Sequence, residues 1–184
     1  LIIMGSRGLK RLQAILSNSV SQYVFQLSSR PMLLVKDDIY VKKVNRLMVA
    51  FDGSEAAKHC LDLALTLLQD LKGGQLILVH VNKDLGAKPG EVNLAAAEKN
   101  PILAPAIAQV KKQGIQPRCV TTSGRPGEEI CRLADEYGVD LLVLGSPDRR
   151  PSVAKSFVDL DRLLGASLSD YVRVNAKCPV LLAR

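Results

Sequence analysis

Tryptophan is absent from this sequence of 184 residues, and aromatic residues make up only 4% of it. Surfaces that bind single-stranded nucleic acids stack bases on aromatic side chains set among basic ones, and the sequence has no such stripe. No apolar run approaches the roughly 18 residues that a membrane-spanning helix requires. The apolar residues 1–4 follow no basic region, so they do not resemble a secretory signal. The sequence therefore predicts neither nucleic-acid binding nor membrane insertion.

Cysteines are few and scattered. They are Cys60, Cys119, Cys131 and Cys178. No two of them form a CxxC pair, and no histidine lies near them at the spacing of a metal site. We therefore expect neither a disulfide framework nor a metal centre, and we expect the reducing environment of the cytoplasm.

The formal net charge of +7 is concentrated at one end of the chain. Residues 1–36 hold five basic residues and no acidic one, whereas the other 148 residues hold 20 basic and 18 acidic side chains. Basic charge confined to one short segment favours a local site for phosphate over an extended nucleic-acid surface. The composition as a whole, 47% hydrophobic and 23% charged, is typical of a globular protein.

The chain contains an internal repeat. Residues 1–6 (LIIMGS) resemble residues 141–146 (LLVLGS), and residues 19–36 resemble residues 167–184. The second match shares two serines, a tyrosine, a valine, a proline and two leucines among 18 positions, at an offset of 148 residues. We interpret this as a duplication, since 148 residues is about one domain length. The predicted domains are 1–36 (the C-terminal part of a first domain: strand 4, a phosphate loop, the last helix and strand 5), a linker at 37–44, and a complete second domain at 45–184.

Between the repeats, short apolar runs alternate with segments of helical periodicity. Strands are predicted at Asn45–Phe51, Gln75–Val81, Gln116–Thr122, Asp140–Gly145 and Cys178–Ala183. Helices are predicted at Glu55–Leu71, within Glu91–Gln113, at Glu128–Tyr137 and at Ala166–Asn175, and residues 82–90 are predicted as a polar loop. This alternation is typical of βαβ units, so it predicts an α/β fold: an open, doubly wound, Rossmann-like sheet of five parallel strands with helices on both faces.

Ligands of such sheets bind beyond the carboxyl ends of the strands, which points to the loops after strands one and four. In the second domain these loops are Asp52-Gly53-Ser54 and Gly145-Ser146. In the first copy, Gly5-Ser6-Arg7-Gly8 follows an apolar strand, and after nine more residues Asn18-Ser19 precedes a helix. Glycines allow backbone amides to approach an anion, and a helix N-terminus offers unpaired N–H groups to phosphate.

These motifs resemble those of the universal stress protein family, whose signature is a strand followed by GxxG, nine residues, G[ST] and a helix. Residues 5–19 match it with one departure, Asn18 in place of glycine, and residues 49–55 (VAFDGSE) are similar to the family's first-strand motif. The resemblance implies an adenine-nucleotide α-hydrolase-like sheet with strand order 3-2-1-4-5 and a site for ATP or another adenine nucleotide, alone or with Mg²⁺. The implied binding residues are Gly5, Ser6, Arg7, Gly8, Asn18, Ser19, Val20 and Ser21 in the first copy and, more weakly, Asp52, Val79, Gly145, Ser146 and Ser167 in the second. Asp52 and Val79 inherit contacts to the adenosine part of the ligand.

The second copy departs further from the signature. Pro147 and Asp148 follow Ser146, so the second glycine is replaced by an acid that would repel a triphosphate. For the Gly145 loop we therefore favour a purely structural interpretation. Asp52 also has a structural alternative, that of a turn residue and helix cap. His80 is interpreted as structural and His59 as a surface residue.

Three functions follow as hypotheses. The first is a non-enzymatic module that binds ATP in the first copy and signals stress, with the degenerate second copy as scaffold or regulator. The second is a slow nucleotide hydrolase. The third is a nucleotide-independent interaction domain whose partner is a protein such as a transporter or kinase. The apolar final strands, Met32–Val35 and Val180–Leu182, suit self-association, either between the tandem copies as an internal pseudo-dimer or between two chains as a homodimer.

Overall fold

The computed structural model describes residues 1–6, 24–25, 27–36, 43–82, 90–92, 94–146 and 168–183. These residues form one sheet of eight strands with an α/β, Rossmann-like arrangement. The strands are β1 (Ile2–Ser6), β2 (Met32–Lys36), β3 (Arg46–Ala50), β4 (Gln75–Asn82), β5 (Gly90–Val92), β6 (Arg118–Ser123), β7 (Leu141–Gly145) and β8 (Val180–Ala183). Their order across the sheet is β1-β2-β8-β7-β3-β4-β6-β5.

The sheet is larger than expected, and it is mixed. A five-stranded, all-parallel sheet in the order 3-2-1-4-5 is therefore wrong as a description of the whole. That order describes only the inner run, β6-β4-β3-β7-β8, whose four pairings are parallel. β5 and β2 pair antiparallel with β6 and β8. The pattern missed β5 because a strand of three residues in a polar segment carries no usable periodicity.

Helices cover both faces of the sheet. They are α1 (Glu55–Asp70), α2 (Leu94–Ala97), α3 (Leu103–Lys112), α4 (Pro126–Glu136) and α5 (Leu168–Asn175). Because alternate strand residues point to opposite faces, central strands that are apolar on both faces supply two cores. Leu47 and Val49 pack with α1 and α3, while Met48 packs on the other face with α4 and α5. None of the helices in the described ranges is both long and apolar enough to cross a bilayer.

The helix expected within Glu91–Gln113 is divided into α2 and α3. Asn100 Oδ1 accepts hydrogen bonds from the backbone N–H groups of Ile102 (2.8 Å) and Leu103 (3.2 Å), so it satisfies the start of α3. Pro105 is the third residue of α3. The first-turn N–H groups of a helix have no intrahelical acceptor, so proline costs no helical hydrogen bond there.

The strand pairings follow the similarity between the two ends of the sequence. β1 pairs with β2 in a parallel register that places Ile2 opposite Met32. β7 pairs with β8 in a parallel register that places Leu142 opposite Val180. Leu142 and Val180 are the counterparts of Ile2 and Met32 in the sequence match, so the two pairs of strands share one register.

β2 and β8, which end the two similar segments of the sequence, pair with each other inside the chain. The antiparallel register places Met32 opposite Leu182, Leu33 opposite Leu181, and Leu34 opposite Val180. Leu33 and Leu181 are repeat counterparts. Each residue of the pair on one side is the repeat counterpart of a residue in the pair on the other side, so the junction is symmetrical about this central pair. Both edges of β2 and of β8 are occupied within the sheet. Neither strand therefore has an edge left to pair with another chain.

Lys36, at the end of β2, connects the junction to the last helix. Its Nζ donates hydrogen bonds to the carbonyl oxygens of Val174 and Ala176, both at 2.7 Å. These carbonyls lie at the C-terminus of α5, where backbone oxygens lack intrahelical donors and the helix dipole favours a cation. Lys36, which lies in β2, thus stabilises the C-terminal end of α5.

Candidate functional site

The loops after β3 and β7 adjoin at the point where strand order reverses. β3 lies between β4 and β7, so the chain leaves it in one direction and returns on the other side. In open parallel sheets this crevice, beyond the carboxyl ends of the strands, is where ligands bind. The loop after β3 carries Asp52, and β7 ends at Gly145 followed by Ser146. The fold therefore brings these second-copy candidates to one edge of the sheet.

Asp52 is held in a tight turn that leads into α1. Its Oδ1 accepts a hydrogen bond from the backbone N–H of Ser54 (3.0 Å), and Ser54 Oγ accepts one from the N–H of Ala57 (3.2 Å) as the N-cap of α1. Gly53 has φ +82°, the left-handed conformation that favours glycine. Asp52 is thus a turn residue, as the structural interpretation had it, and it is also exposed at the crevice.

Gly145 is required by the close approach of α1. A Cβ at this position would lie 2.8 Å from the carbonyl carbon of Ala56 and 2.9 Å from the nitrogen of Ala57. Ser146 is buried; its N–H donates to the carbonyl oxygen of Ala183 (2.8 Å), and its Oγ lies 3.3 Å from that of Ser169. Packing alone gives a reason for glycine here, without any ligand.

Val79 does not border the crevice beyond the carboxyl ends of the strands. It is buried and paired opposite Ala50, and its carbonyl oxygen accepts a hydrogen bond from Phe51 N–H at 2.8 Å. Val81 lies two residues further on the same face of β4, is half-buried, and extends past the last paired residue of β3. Val81 is therefore the valine of β4 that borders the crevice. The sequence held a signal for it, because Val81 is the last residue of the predicted strand.

Gly5 and Ser6, the first-copy candidates that the structure describes, follow a strand that runs opposite to β3 and β7. β1 is parallel to β2, and β2 is antiparallel to β8, so the carboxyl ends of β1 and β7 point in opposite directions. Gly5 and Ser6, at the carboxyl end of β1, consequently lie at the opposite end of the sheet from Asp52. The other candidates lie outside the described residues; they are Arg7, Gly8, Asn18, Ser19, Val20, Ser21 and Ser167.

A charged cluster that the sequence analysis did not single out lines a cavity of about 320 Å³ beside α4. Arg132 pairs with Glu129 (2.8 Å) and Glu136 (2.5 Å), and Thr122 Oγ1 donates to Glu129 (2.6 Å). The Arg132 guanidinium, followed by the Thr122 hydroxyl, lowers the pKa of Glu129. The sequence contained a signal for this cluster, because charges at i,i+3 and i,i+4 spacing lie next to each other on a helix. Every polar group in the cluster named here has a partner, so it reads as a structural network.

No group of three His, Cys, Asp or Glu side chains within the described ranges is placed to hold a metal ion. These ranges therefore offer no cage of protein ligands for Mg²⁺. Such an ion would have to be held mainly by the phosphates of a nucleotide.

Cys60 lies beneath the crevice and is completely buried. Burial raises the pKa of its thiol from 9.0 to about 12, a rise opposed by a hydrogen bond with the Ala183 backbone and reinforced by the Asp52 charge. We expect Cys60 to resist iodoacetamide in the folded protein at pH 8, because its reactive thiolate is both suppressed and inaccessible. Mass mapping of alkylated peptides, before and after unfolding, measures this.

The same shift predicts how stability depends on pH. An unfolded thiol ionises near pH 9, so the folding stability linked to Cys60 is intact below that pH and is lost as pH rises toward 12. At pH 10 the loss is about 1.4 kcal/mol relative to pH 8. In urea unfolding, the free energy of unfolding of Cys60→Ala should fall correspondingly less between pH 8 and pH 10 than that of the parent protein. Parallel pH profiles for the two proteins would show that burial does not perturb this thiol.

Comparison with known proteins shows to which family the chain is similar. The model of the universal stress protein family matches residues 1–36 and 43–184. Universal stress protein YxiE of Bacillus subtilis is 26% identical over 155 residues, which cover 76% of this chain and 99% of that protein. A universal stress protein structure from Archaeoglobus fulgidus, 27% identical, aligns with 100% of this chain at a TM-score of 0.75, and this chain spans 60% of that protein's length.

One further solved structure bears on ligands. A universal stress protein in complex with cAMP is 26% identical, with a TM-score of 0.55, and the match covers 76% of this chain and 96% of that one. Because the family model covers nearly all of the sequence, this chain belongs to the universal stress protein family.

Proposed function

We propose that this chain is a non-enzymatic, cytoplasmic stress protein that binds an adenine nucleotide. In this proposal the first copy holds the phosphates of ATP through residues 5–21. The second copy acts as scaffold or regulator and keeps a weaker subsite for the adenosine part at Asp52. The observation that carries the proposal is the position of Asp52, exposed in a fixed turn at the reversal of strand order. The cAMP complex of a relative 26% identical supports adenine nucleotides as the ligand class.

A tandem arrangement is part of the proposal. It is supported by the two separate family matches, 1–36 and 43–184, and by the common register of β1/β2 and β7/β8. The symmetrical pairing of β2 with β8 is what an isologous contact between two equivalent domains produces. We infer an internal pseudo-dimer, joined through the two final strands.

The first copy is proposed to be completed by a further strand and helix. Ile3 in β1 is 66% exposed, whereas its repeat counterpart Val143 in β7 is 0% exposed. Val143 is covered because β3 flanks β7 and α1 packs above it. A strand–helix segment of the β3–α1 kind on the open side of β1 would bury Ile3 in the same way and provide an adenosine subsite beside Gly5.

The proposal is tested by AMP binding, measured calorimetrically on the chain and on Asp52→Asn. The asparagine keeps an oxygen for the Ser54 N–H, so the turn is retained, but it lacks the negative charge that accepts hydrogen bonds from ribose hydroxyls. We expect the Kd for AMP to rise about tenfold, since a hydrogen bond to a charged group contributes about 1.5 kcal/mol. Asp70→Asn, an exposed aspartate at the other end of α1, is the matched control and should bind AMP unchanged.

Equal AMP affinity for the parent and Asp52→Asn would remove the nucleotide from the Asp52 loop. Absence of AMP binding by the parent would remove the second-copy subsite altogether. Phosphate release from ATP with magnesium, measured in the same samples, separates binding from hydrolysis; turnover abolished by Ser19→Ala or Asp52→Ala would replace the non-enzymatic proposal with a hydrolase.

A nucleotide-independent interaction module is the second candidate, and the tight packing at Gly145 favours it. Backbone atoms of α1 already occupy the space beside this glycine, so the loop is explained without a phosphate. This candidate predicts that AMP and ATP leave the melting temperature unchanged at millimolar concentration, because a ligand stabilises a fold only by binding to it. A rise in Tm with increasing AMP would exclude it.

A further inference from the structure

The sheet divides the cysteines of the chain into two pairs, and all four are free thiols. Cys60 and Cys119 belong to the core between the sheet and helices α1 and α3, and both are buried. Cys178 belongs to the core on the opposite face, and Cys131 packs against that core. Cys178 is buried, whereas Cys131 is half-buried. The second pair therefore combines one thiol that a small solute can reach with one that it cannot.

Cys131 and Cys178 come from different elements but share a small region of their core. Cys131 lies in α4, and Cys178 lies in the connection between α5 and β8. Burial raises the pKa of the Cys178 thiol to about 11, and the charge of Cys131 adds to this rise. The interaction between two charges weakens with distance, so an effect of one thiol on the other indicates that they are neighbours.

A cation lies beside both thiols. Leu34 pairs with Val180; Lys36 follows Leu34 by two residues, and Cys178 precedes Val180 by two, so both lie at the same end of the β2–β8 junction. The Lys36 ammonium is fixed there by carbonyl oxygens at the C-terminus of α5. Burial raises the pKa of the Cys131 thiol to about 11 as well, and the charge of Lys36 opposes the rise at both cysteines. The ammonium therefore favours the thiolate that oxidation requires.

The pair suits a disulfide better than a metal ion. No third His, Cys, Asp or Glu side chain among the described residues joins the two thiols as a ligand. A structural zinc ion takes four protein ligands. Two thiols, in contrast, are all that a disulfide needs.

We propose that Cys131 and Cys178 form a site of reversible oxidative modification, where hydrogen peroxide converts the two thiols to a disulfide that links α4 to the start of β8. The Cys131 thiolate attacks the peroxide; a sulfur–oxygen bond forms, the oxygen–oxygen bond breaks, and the departing hydroxide takes up a proton to leave as water. The Cys178 thiolate then attacks the sulfenic sulfur, the sulfur–sulfur bond forms, and a second water leaves. The two thiols lose two electrons together, and the peroxide gains them. This inference does not depend on nucleotide binding.

The disulfide is tested by peptide mapping of the full chain after treatment with excess hydrogen peroxide at pH 8. Excess is needed because, at a pKa of about 11, only about one thiol in a thousand is ionised at this pH. Catalase ends the reaction, and the protein is then unfolded in iodoacetamide. We expect a peptide that joins Cys131 to Cys178, with Cys60 and Cys119 still alkylated. Cys119→Ser is the matched control and should give the same joined peptide.

The order of the two steps is tested by trapping sulfenic acid with dimedone. In Cys178→Ser, the oxidised Cys131 has no thiol to react with, so its dimedone adduct should be at least about tenfold more abundant than in the parent protein. In Cys131→Ser, the buried Cys178 should remain reduced. Dithiothreitol should return the oxidised parent to four free thiols.

Equal dimedone labelling of Cys131 in Cys178→Ser and the parent overturns the proposal. A disulfide between other cysteines also overturns it, as does one between two chains, seen as a dimer in non-reducing electrophoresis. Four alkylated cysteines after exposure to peroxide have the same meaning. If Cys178→Ser does not fold, the peptide map of the parent decides by itself, because it identifies both partners of the bond.

Discussion

Gly145→Ala is expected to lower the free energy of unfolding by about 3 kcal/mol, although it adds a single methyl group. The new Cβ would lie within 3 Å of the Ala56 carbonyl carbon and the Ala57 nitrogen. These are backbone atoms in the first turn of α1, so they cannot move aside by changing a rotamer. Relief requires α1 to shift away from β7, which weakens the core that both elements share. Urea unfolding followed by circular dichroism measures the loss.

The repeat supplies the control for this variant. Gly5 is the counterpart of Gly145, but it is exposed, and no helix of the described residues packs on β1 as α1 packs on β7. Gly5→Ala should therefore be neutral, or stabilise by up to about 1 kcal/mol, because alanine loses less backbone entropy than glycine in a strand. A loss at Gly5 equal to that at Gly145 would contradict this packing. It would indicate that a further helix already covers β1.

Met32→Asp is expected to cost at least about 4 kcal/mol, because it places a carboxylate at a position with no exposure to solvent. Met32 lies in β2 between Ile2 of β1 and Leu182 of β8, and it belongs to the same core as α4 and α5. The variant therefore tests whether the first 36 residues form one cooperative unit with the rest of the chain. Urea unfolding, combined with hydrogen exchange at β8, gives both the size and the location of the effect.

Leu27→Asp is the matched control, since Leu27 belongs to the same segment and is 67% exposed. Its cost should stay within about 0.5 kcal/mol, as is usual for surface substitutions. If Met32→Asp were as mild, the first copy would be only loosely attached. If it exposed β1 and β2 to exchange while leaving β8 protected, the two copies would unfold as separate units.

Some features of the candidate site could be predicted from sequence patterns, and others could not. Asp52-Gly53-Ser54 was recognisable because a turn glycine and a capping serine have local causes, and local causes are written in adjacent residues. The sequence could not show that Val79 is buried inside the sheet and does not border the crevice, because this depends on where β3 stops pairing with β4. His80 was interpreted as structural, but its hydrogen-bond partner was not recognisable, since the Phe51 carbonyl is 29 positions away in the sequence.

The sequence by itself determined the family and the α/β class, and it predicted a duplication and the loops that a ligand would meet. Each of these follows from patterns of a few residues or from similarity between segments. Only the tertiary structure decided that β2 pairs antiparallel with β8, and hence that Gly5 and Asp52 lie at opposite ends of one sheet. Strand direction at a junction is fixed by contacts between segments some 150 positions apart, as between Met32 and Leu182. Such contacts leave no periodicity in either strand, so they become visible only once the chain is folded.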